Sequence, residues 1–238
     1  MFGQRFTISR RGRDEGEKPF WISFADLMTA LMVLFLLVMS VALLAVTRTI
    51  SEREQLESQR QRSIERLLDR VQKAAARQPG VRVDRNRAVI DFGDRARFDT
   101  SSHTLSPEQE RLLRAFVPEV LAIARDKSGR RWLKRIVVEG FTDRRGSYLY
   151  NLNLSLQRSQ RVLCALMTAP GPDERAMSRS ELEEIRRLFL VGGYSSNSAR
   201  ESLDASRRIE LRLEFFGVEE EPSGPTSNFE GEFGACAL

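Results

Sequence analysis

The sequence predicts an α+β membrane protein made of a single transmembrane helix, a helical linker and an α/β two-layer sandwich. Three observations carry this. Residues Trp21–Val46 (WISFADLMTALMVLFLLVMSVALLAV) hold no charge except Asp26. Residues 47–78 are densely and alternately charged, without Gly or Pro. Beyond Pro79-Gly80, strand-like and helix-like runs alternate, the pattern of helices packed on one sheet. At 238 residues the chain accommodates one span and one domain of roughly 100–150 residues. The expected division is a cytoplasmic tail (1–18), a transmembrane helix (19–46), a helical linker (47–78), the globular domain (79–217) and a disordered tail (218–238).

At roughly 1.5 Å per residue the apolar run reaches about 39 Å as a helix, enough to cross a hydrocarbon core of about 30 Å with some tilt. It is too long for the roughly 7–15-residue core of a cleaved signal peptide and contains an acid, so it reads as a signal anchor. Arg5, Arg10, Arg11, Arg13 and Lys18 precede it, against Arg48, Arg53 and Arg60 just after it. That bias places the N-terminus in the cytoplasm. A charged side chain at a bilayer centre costs roughly 2.5–3.5 kcal/mol, a cost that a plain anchor has no reason to carry. Asp26 is therefore read as an ion-binding group facing a partner helix. The alternative, a carboxylate reaching the headgroups, is opposed by the shortness of Asp and by Phe20, Trp21, Ile22 and Phe24 around it. Helical spacing puts Ser23, Asp26, Thr29 and Ala30 on one face, opposite Phe24, Met28, Leu31 and Phe35. A small, polar stripe of this kind suits packing against other membrane helices.

In the charged stretch, Ile64, Leu67, Leu68, Val71 and Ala75 recur at helical spacing. In the domain, Val81–Asp84 and Ala88–Phe92 read as short strands. Ser106-Pro107-Glu108-Gln109 opens an amphipathic helix with a capping box and Pro at the first position. Pro118 inside it predicts a kink or a break. A strand at Ile136–Glu139 ends at Gly140, and a second helix covers about Tyr150–Met167. Ser180-x-x-Glu183 caps a shorter helix leading into a strand at Leu188–Val191. The alternating run Ile209–Phe215 is the last strand.

The net charge of +5 comes largely from Arg flanking the span or lying along the charged helix, so a membrane surface or a solvated face accounts for it better than nucleic acid does. Glu219, Glu220, Glu221, Glu230 and Glu232 make the tail acidic. The two cysteines, Cys164 and Cys236, form no metal framework; a disulfide and two free thiols both remain open. The single His103 sits in a Ser/Thr loop, and no triad, zinc site or phosphate loop appears, so an enzyme is not expected and no cofactor is called for.

The domain's chemistry concentrates in Gly140–Ser159, GFTDRRGSYLYNLNLSLQRS. Asp143 follows a strand end, and Asn151, Leu154, Ser155 and Arg158 line one face of the next helix. An acid and a guanidinium converging on one pocket suit a zwitterionic ligand; an internal salt bridge is the competing reading. The stretch Ile136–Leu166, with Gly140, Thr142-Asp143, Gly146, Tyr150-Asn151, Leu154-Ser155, Arg158 and Val162, resembles the OmpA-like peptidoglycan-binding domain, as does Arg207-Arg208-Ile209-Glu210. The resemblance covers about Val81 to Phe216. It implies that Asp143 and Arg158 grip the diaminopimelate of a wall peptide, with Tyr150, Asn151 and Leu154 shaping the pocket. Ser159 and Phe141 depart from it, since the family has Ala and commonly His there.

Pro19-Phe-Trp-Ile-Ser-Phe-Ala-Asp-Leu-Met-Thr-Ala-Leu-Met32 resembles the transmembrane segment of the MotB family of stator B subunits, whose aspartate in the matching A-D-x-M-T run carries protons. Asp26 is that residue here. The whole chain is similar to the B subunits of Zorya anti-phage defence systems. The resemblance implies a homodimer within a ring of five MotA-like A subunits, in the inner membrane, with the C-terminal domain in the periplasm. A flagellar stator subunit and a passive peptidoglycan tether are the alternatives. The expected coupling ion is the proton, which needs only Asp26; Ser23 and Thr29 offer oxygens for a sodium site, so sodium stays open.

Overall fold

In the computed structural model the described residues are 18–171, 174–220 and 231–236. Residues 1–17 of the expected N-terminal tail, and 221–230 and 237–238 of the C-terminal one, lie outside them. The chain divides into two compact units, Met1–Gln55 and Leu56–Leu238, and helix α1 (Lys18–Ala75) runs through both. In the first unit the described structure is that helix alone. Its apolar run is long enough to cross a membrane, and residues 21–50 are exposed around the whole circumference. The expected transmembrane and linker segments are one continuous helix, since nothing between them interrupts the hydrogen-bond ladder.

Within the second unit the last five turns of α1 belong to the domain. Ile64, Leu67, Leu68, Val71, Ala74 and Ala75 are buried in the same core as Phe92, Phe116, Leu121, Ile136, Val138, Leu166 and Leu211. The stretch expected as a linker thus contributes an apolar stripe that the sheet and helices cover. The remaining elements are β1 (Arg82–Asp84), β2 (Val89–Asp91), a 3-10 turn (Gly93–Ala96), α2 (Pro107–Ala124), α3 (Lys127–Trp132), β3 (Leu133–Gly140), α4 (Tyr148–Met167), α5 (Arg179–Leu188), β4 (Phe189–Gly193), α6 (Leu203–Ser206) and β5 (Ile209–Phe215). The sheet order is β1-β2-β5-β3-β4. All pairs are antiparallel except β3 with β4, which the α4–α5 segment joins as a crossover.

Alternation along β5 separates the two sheet faces. Ile209, Leu211 and Leu213 enter the core, while Glu210, Arg212 and Glu214 point the other way. Glu139 and Glu210 are register partners and fully buried, so two like charges lie side by side. Arginines neutralise both: Arg212 donates to both oxygens of Glu139 (2.6 and 2.9 Å), and Arg208 (2.7 Å), Arg87 (2.8 Å) and Arg200 (2.8 Å) all donate to Glu210.

Local signals placed most elements. Ser106 caps α2 with both hydrogen bonds of the capping box. That helix runs through Pro118 without the expected break, because Phe116, Val117, Val120 and Leu121 on either side are buried and hold it. The cap of α5 is Ser178, two residues before the expected Ser180, because Glu181 completes the capping box. Cys164 of α4 and Cys236 are disulfide-bonded, with Cα atoms 5.7 Å apart. The bridge holds 231–236 beside the helices, where Phe233 lies 5.0 Å under the Arg179 guanidinium.

Because Leu67 is almost fully buried, Leu67→Ala should lower the unfolding free energy of the full-length chain in detergent by about 2–5 kcal/mol, read by urea titration. A change below about 0.5 kcal/mol, the size of a surface substitution, would mean that this part of α1 is a free linker.

Candidate functional site

The cleft is built where β3 ends and α4 begins. Gly140 closes the strand against α4: a Cβ there would lie 1.9 Å from the Ser155 carbonyl oxygen, so only glycine permits the approach. The loop that follows is strapped to the sheet, with Phe141 N–H donating to the Arg208 carbonyl (3.1 Å) and Thr142 N–H to that of Ser195 (3.0 Å). Gly146, with φ at +90°, turns the chain so that Ser147 caps α4. Asp143 is thereby fixed opposite the first turns of α4, which carry Tyr150, Asn151, Leu154 and Arg158.

Asp143 is buried, and its oxygens are fully engaged. Oδ1 accepts from the backbone N–H of Arg145 (3.0 Å) and from its Nε (3.4 Å). Oδ2 accepts from Nη2 of Arg145 (2.8 Å) and Nη1 of Arg207 (3.2 Å). Burial alone would raise the pKa of this carboxyl; the Arg145 bonds, and after them the Arg207 bond, outweigh it and bring the pKa down to about 2. Arg158 is fully buried. Its guanidinium donates to the carbonyls of Phe141 (2.7 Å), Asp99 (3.0 Å) and Ser102 (2.9 Å) and lies over the Phe98 ring at 4.9 Å. Burial, then the Arg207 charge, lowers its pKa to about 10, so it remains charged at neutral pH. Three of the five guanidinium N–H groups are thus spent on the backbone.

The structure brings together every cleft residue that the sequence singled out. Asp143, Tyr150, Asn151, Leu154 and Arg158 line one pocket. Asn151 is buried and donates to the Arg145 carbonyl at 2.8 Å, Leu154 is buried, and Tyr150 stands half exposed at the rim. The competing reading, a direct Asp143–Arg158 salt bridge, does not occur; the acid pairs with Arg145 and Arg207. Those two arginines were missed as site residues. The signal for Arg145 is its place two residues after the acid, whereas Arg207 and Thr142 stand out in the sequence only as parts of the family motif. Thr142 lines the same pocket, and its hydroxyl is buried with no hydrogen-bond partner among the described residues. Phe141 and Ser159, the departures from the family pattern, are both buried. Phe141 stacks on Tyr194 with the Arg208 guanidinium 4.1 Å above it, and Ser159 donates to the Leu156 carbonyl at 2.8 Å.

In the other unit, Asp26 lies on α1 with Ser23 and Thr29 one turn to either side. Thr29 Oγ1 donates to the carbonyls of Ala25 (3.0 Å) and Asp26 (2.9 Å), so its proton stays within the helix and its lone pairs remain open.

Comparison with known proteins bears on both regions. The OmpA family model matches residues 97–182, which hold the cleft apart from Arg207. The model described as "Membrane MotB of proton-channel complex MotA/MotB" matches residues 9–49, around Asp26. The Zorya protein ZorB of Escherichia coli O139:H28 (strain E24377A / ETEC) is 48% identical over 221 residues, covering 92% of this chain and 90% of that protein. The chain belongs to the ZorB family. It is a MotB-like, stator-type B subunit of a Zorya system with an OmpA-like domain. Solved structures are more distant. A MotB-like protein from Desulfovibrio vulgaris is 20% identical with a TM-score of 0.43, covering 69% of this chain and 99% of that one. The periplasmic domain of Helicobacter pylori MotB (residues 90–256) is 15% identical with a TM-score of 0.40, covering 61% and 86%.

The depressed pKa of Asp143 fixes a sign. Its ionised form stabilises the fold above the ordinary carboxyl range, and that contribution is lost as pH falls from about 4 to about 2. Asp143→Asn should therefore flatten the acid-unfolding curve of the full-length chain in that window. An unchanged curve would mean that the ion pairs of Asp143 add nothing to stability.

Proposed function

We propose that this subunit is the ion-carrying and wall-anchored half of a rotary membrane motor used in anti-phage defence. Asp26 loads and unloads a proton, and the cleft around Asp143 and Arg158 holds the diaminopimelate of peptidoglycan. The observation that carries the reading is the single carboxyl of an otherwise uncharged span, lying inside the MotB-matching segment of a ZorB relative. Two copies of the chain would sit within a ring of five MotA-like A subunits in the inner membrane, with the N-terminus cytoplasmic and the domain periplasmic. Each change of charge at Asp26 alters the attraction between α1 and the surrounding helices. With the domain fastened to the wall, the ring is what moves.

The cleft suits a ligand with an ammonium and a carboxylate on one carbon. Asp143 supplies the negative charge, and Arg158 keeps two N–H groups beyond the three bound to backbone. Proton rather than sodium is supported by the economy of the site, since protonation needs only the carboxyl.

In the A–B complex, Asp26→Asn should abolish both proton flux into vesicles and protection of cells from phage. Flux or protection that persists would remove Asp26 from the mechanism. Asp143→Asn should cut the amount of complex retained by purified peptidoglycan at least tenfold without loss of assembly; unchanged retention would place wall binding elsewhere. A periplasmic domain keeps its disulfide in cells. Cys164 and Cys236 should accept maleimide only after reductant is added, and labelling without reductant would contradict the orientation.

A further inference from the structure

We propose that Arg145 is an internal counter-ion of the cleft, occupying in the ligand-free protein the place that a ligand's ammonium takes and leaving when the ligand binds. The proposal rests on the reading of this cleft as the site for a zwitterionic wall peptide.

An ionised carboxylate offers about four acceptor positions. All four on Asp143 are taken, three of them by Arg145: one from its backbone N–H and two from its guanidinium. The fourth goes to Arg207. The pocket as it stands is a cavity of about 20 Å³, room for about one water. An incoming ammonium therefore has neither an acceptor nor space until a side chain moves.

The two arginines differ in how readily they can do so. The Arg207 side chain is 10% exposed and is tied at Nε to the Phe98 carbonyl (2.9 Å) and at Nη2 to Asp204. The Arg145 side chain is 53% exposed; beyond Asp143 its guanidinium donates to Thr100 Oγ1 at 3.2 Å and feels the charge of Asp204 without a hydrogen bond to it. Asn151 holds the Arg145 carbonyl, so the side chain can swing outward while its backbone N–H stays on Asp143. What remains is a carboxylate kept ionised and aimed by Arg207 and one backbone N–H, with two acceptor positions free. Thr142, whose hydroxyl is buried and unpartnered among the described residues, lines the same pocket and offers a further polar group.

Ion pairs this open to solvent are weak, so removing the competitor should tighten binding by about 2–5-fold. The test is calorimetric titration of the full-length chain in detergent with the soluble tripeptide L-Ala–D-Glu–diaminopimelate. Arg145→Ala and Arg145→Gln should bind it about 2–5-fold more tightly than the unsubstituted protein, Arg145→Lys should stay near it, and Asp143→Asn should lose binding. The same peptide with its side-chain amine acetylated should show no gain in Arg145→Ala. Equal or weaker binding of the free-amine peptide by Arg145→Ala would overturn the proposal while leaving the cleft reading intact, and so would equal gains for both peptides. Failure of every form to bind, with Asp143→Asn indistinguishable, would overturn the cleft reading and this role with it.

Discussion

A charged side chain at a bilayer centre costs on the order of 2.5–3.5 kcal/mol, and Asp26, nearer one end of its apolar run, carries a smaller share of that cost, with no partner for it among the described residues. Residues 21–50 are exposed around the whole helix, with no other described element of the same unit beside them. In lipid, a carboxyl with no neighbour among the described residues favours contact with other helices. The stripe of Ser23, Asp26, Thr29 and Ala30 is the face that permits close approach. Assembly is thus a consequence of composition: the subunit is incomplete in a membrane until its polar face is covered.

The domain answers a similar problem differently. Its buried charges are met within the chain, by opposite charges or by backbone carbonyls, and these bonds build the cleft. Arg158 is a structural post lining the cleft, since it gathers the carbonyls of Asp99, Ser102 and Phe141 from two separate segments. Removing it leaves three carbonyls without this donor, that of Phe141 buried, which costs folding stability. Asp143 is held by Arg145 and Arg207 rather than by Arg158, so the acid and the buried guanidinium do not pair with each other.

The span, the capped start of α2 and the last strand were legible because each follows from a local rule: an uncharged run, Ser106 with Pro107 and Gln109, and strict alternation over Ile209–Phe215. Where local rules compete, they misled. Ser178-x-x-Glu181 and Ser180-x-x-Glu183 are equally good caps on paper, and burial of Glu181 decides between them. Pro118 obeys the packing on either side of it rather than its own propensity. Asp143 and Arg158 could be named from their spacing, whereas Arg207, 64 residues further along, reaches the acid only through the tertiary fold. The choice between a Cys164–Cys236 bridge and two free thiols, and the burial of Leu67 in the domain core, were left open by the sequence for the same reason.

The central claim is that ion passage at Asp26 turns one part of the assembly against a part held still by the wall. The direct measurement tethers the assembled complex through its C-terminal domain to peptidoglycan on a surface and follows a bead on the A-subunit ring under a proton gradient. The account predicts rotation that stops when the gradient is collapsed. A ring that stays still while protons cross would contradict it.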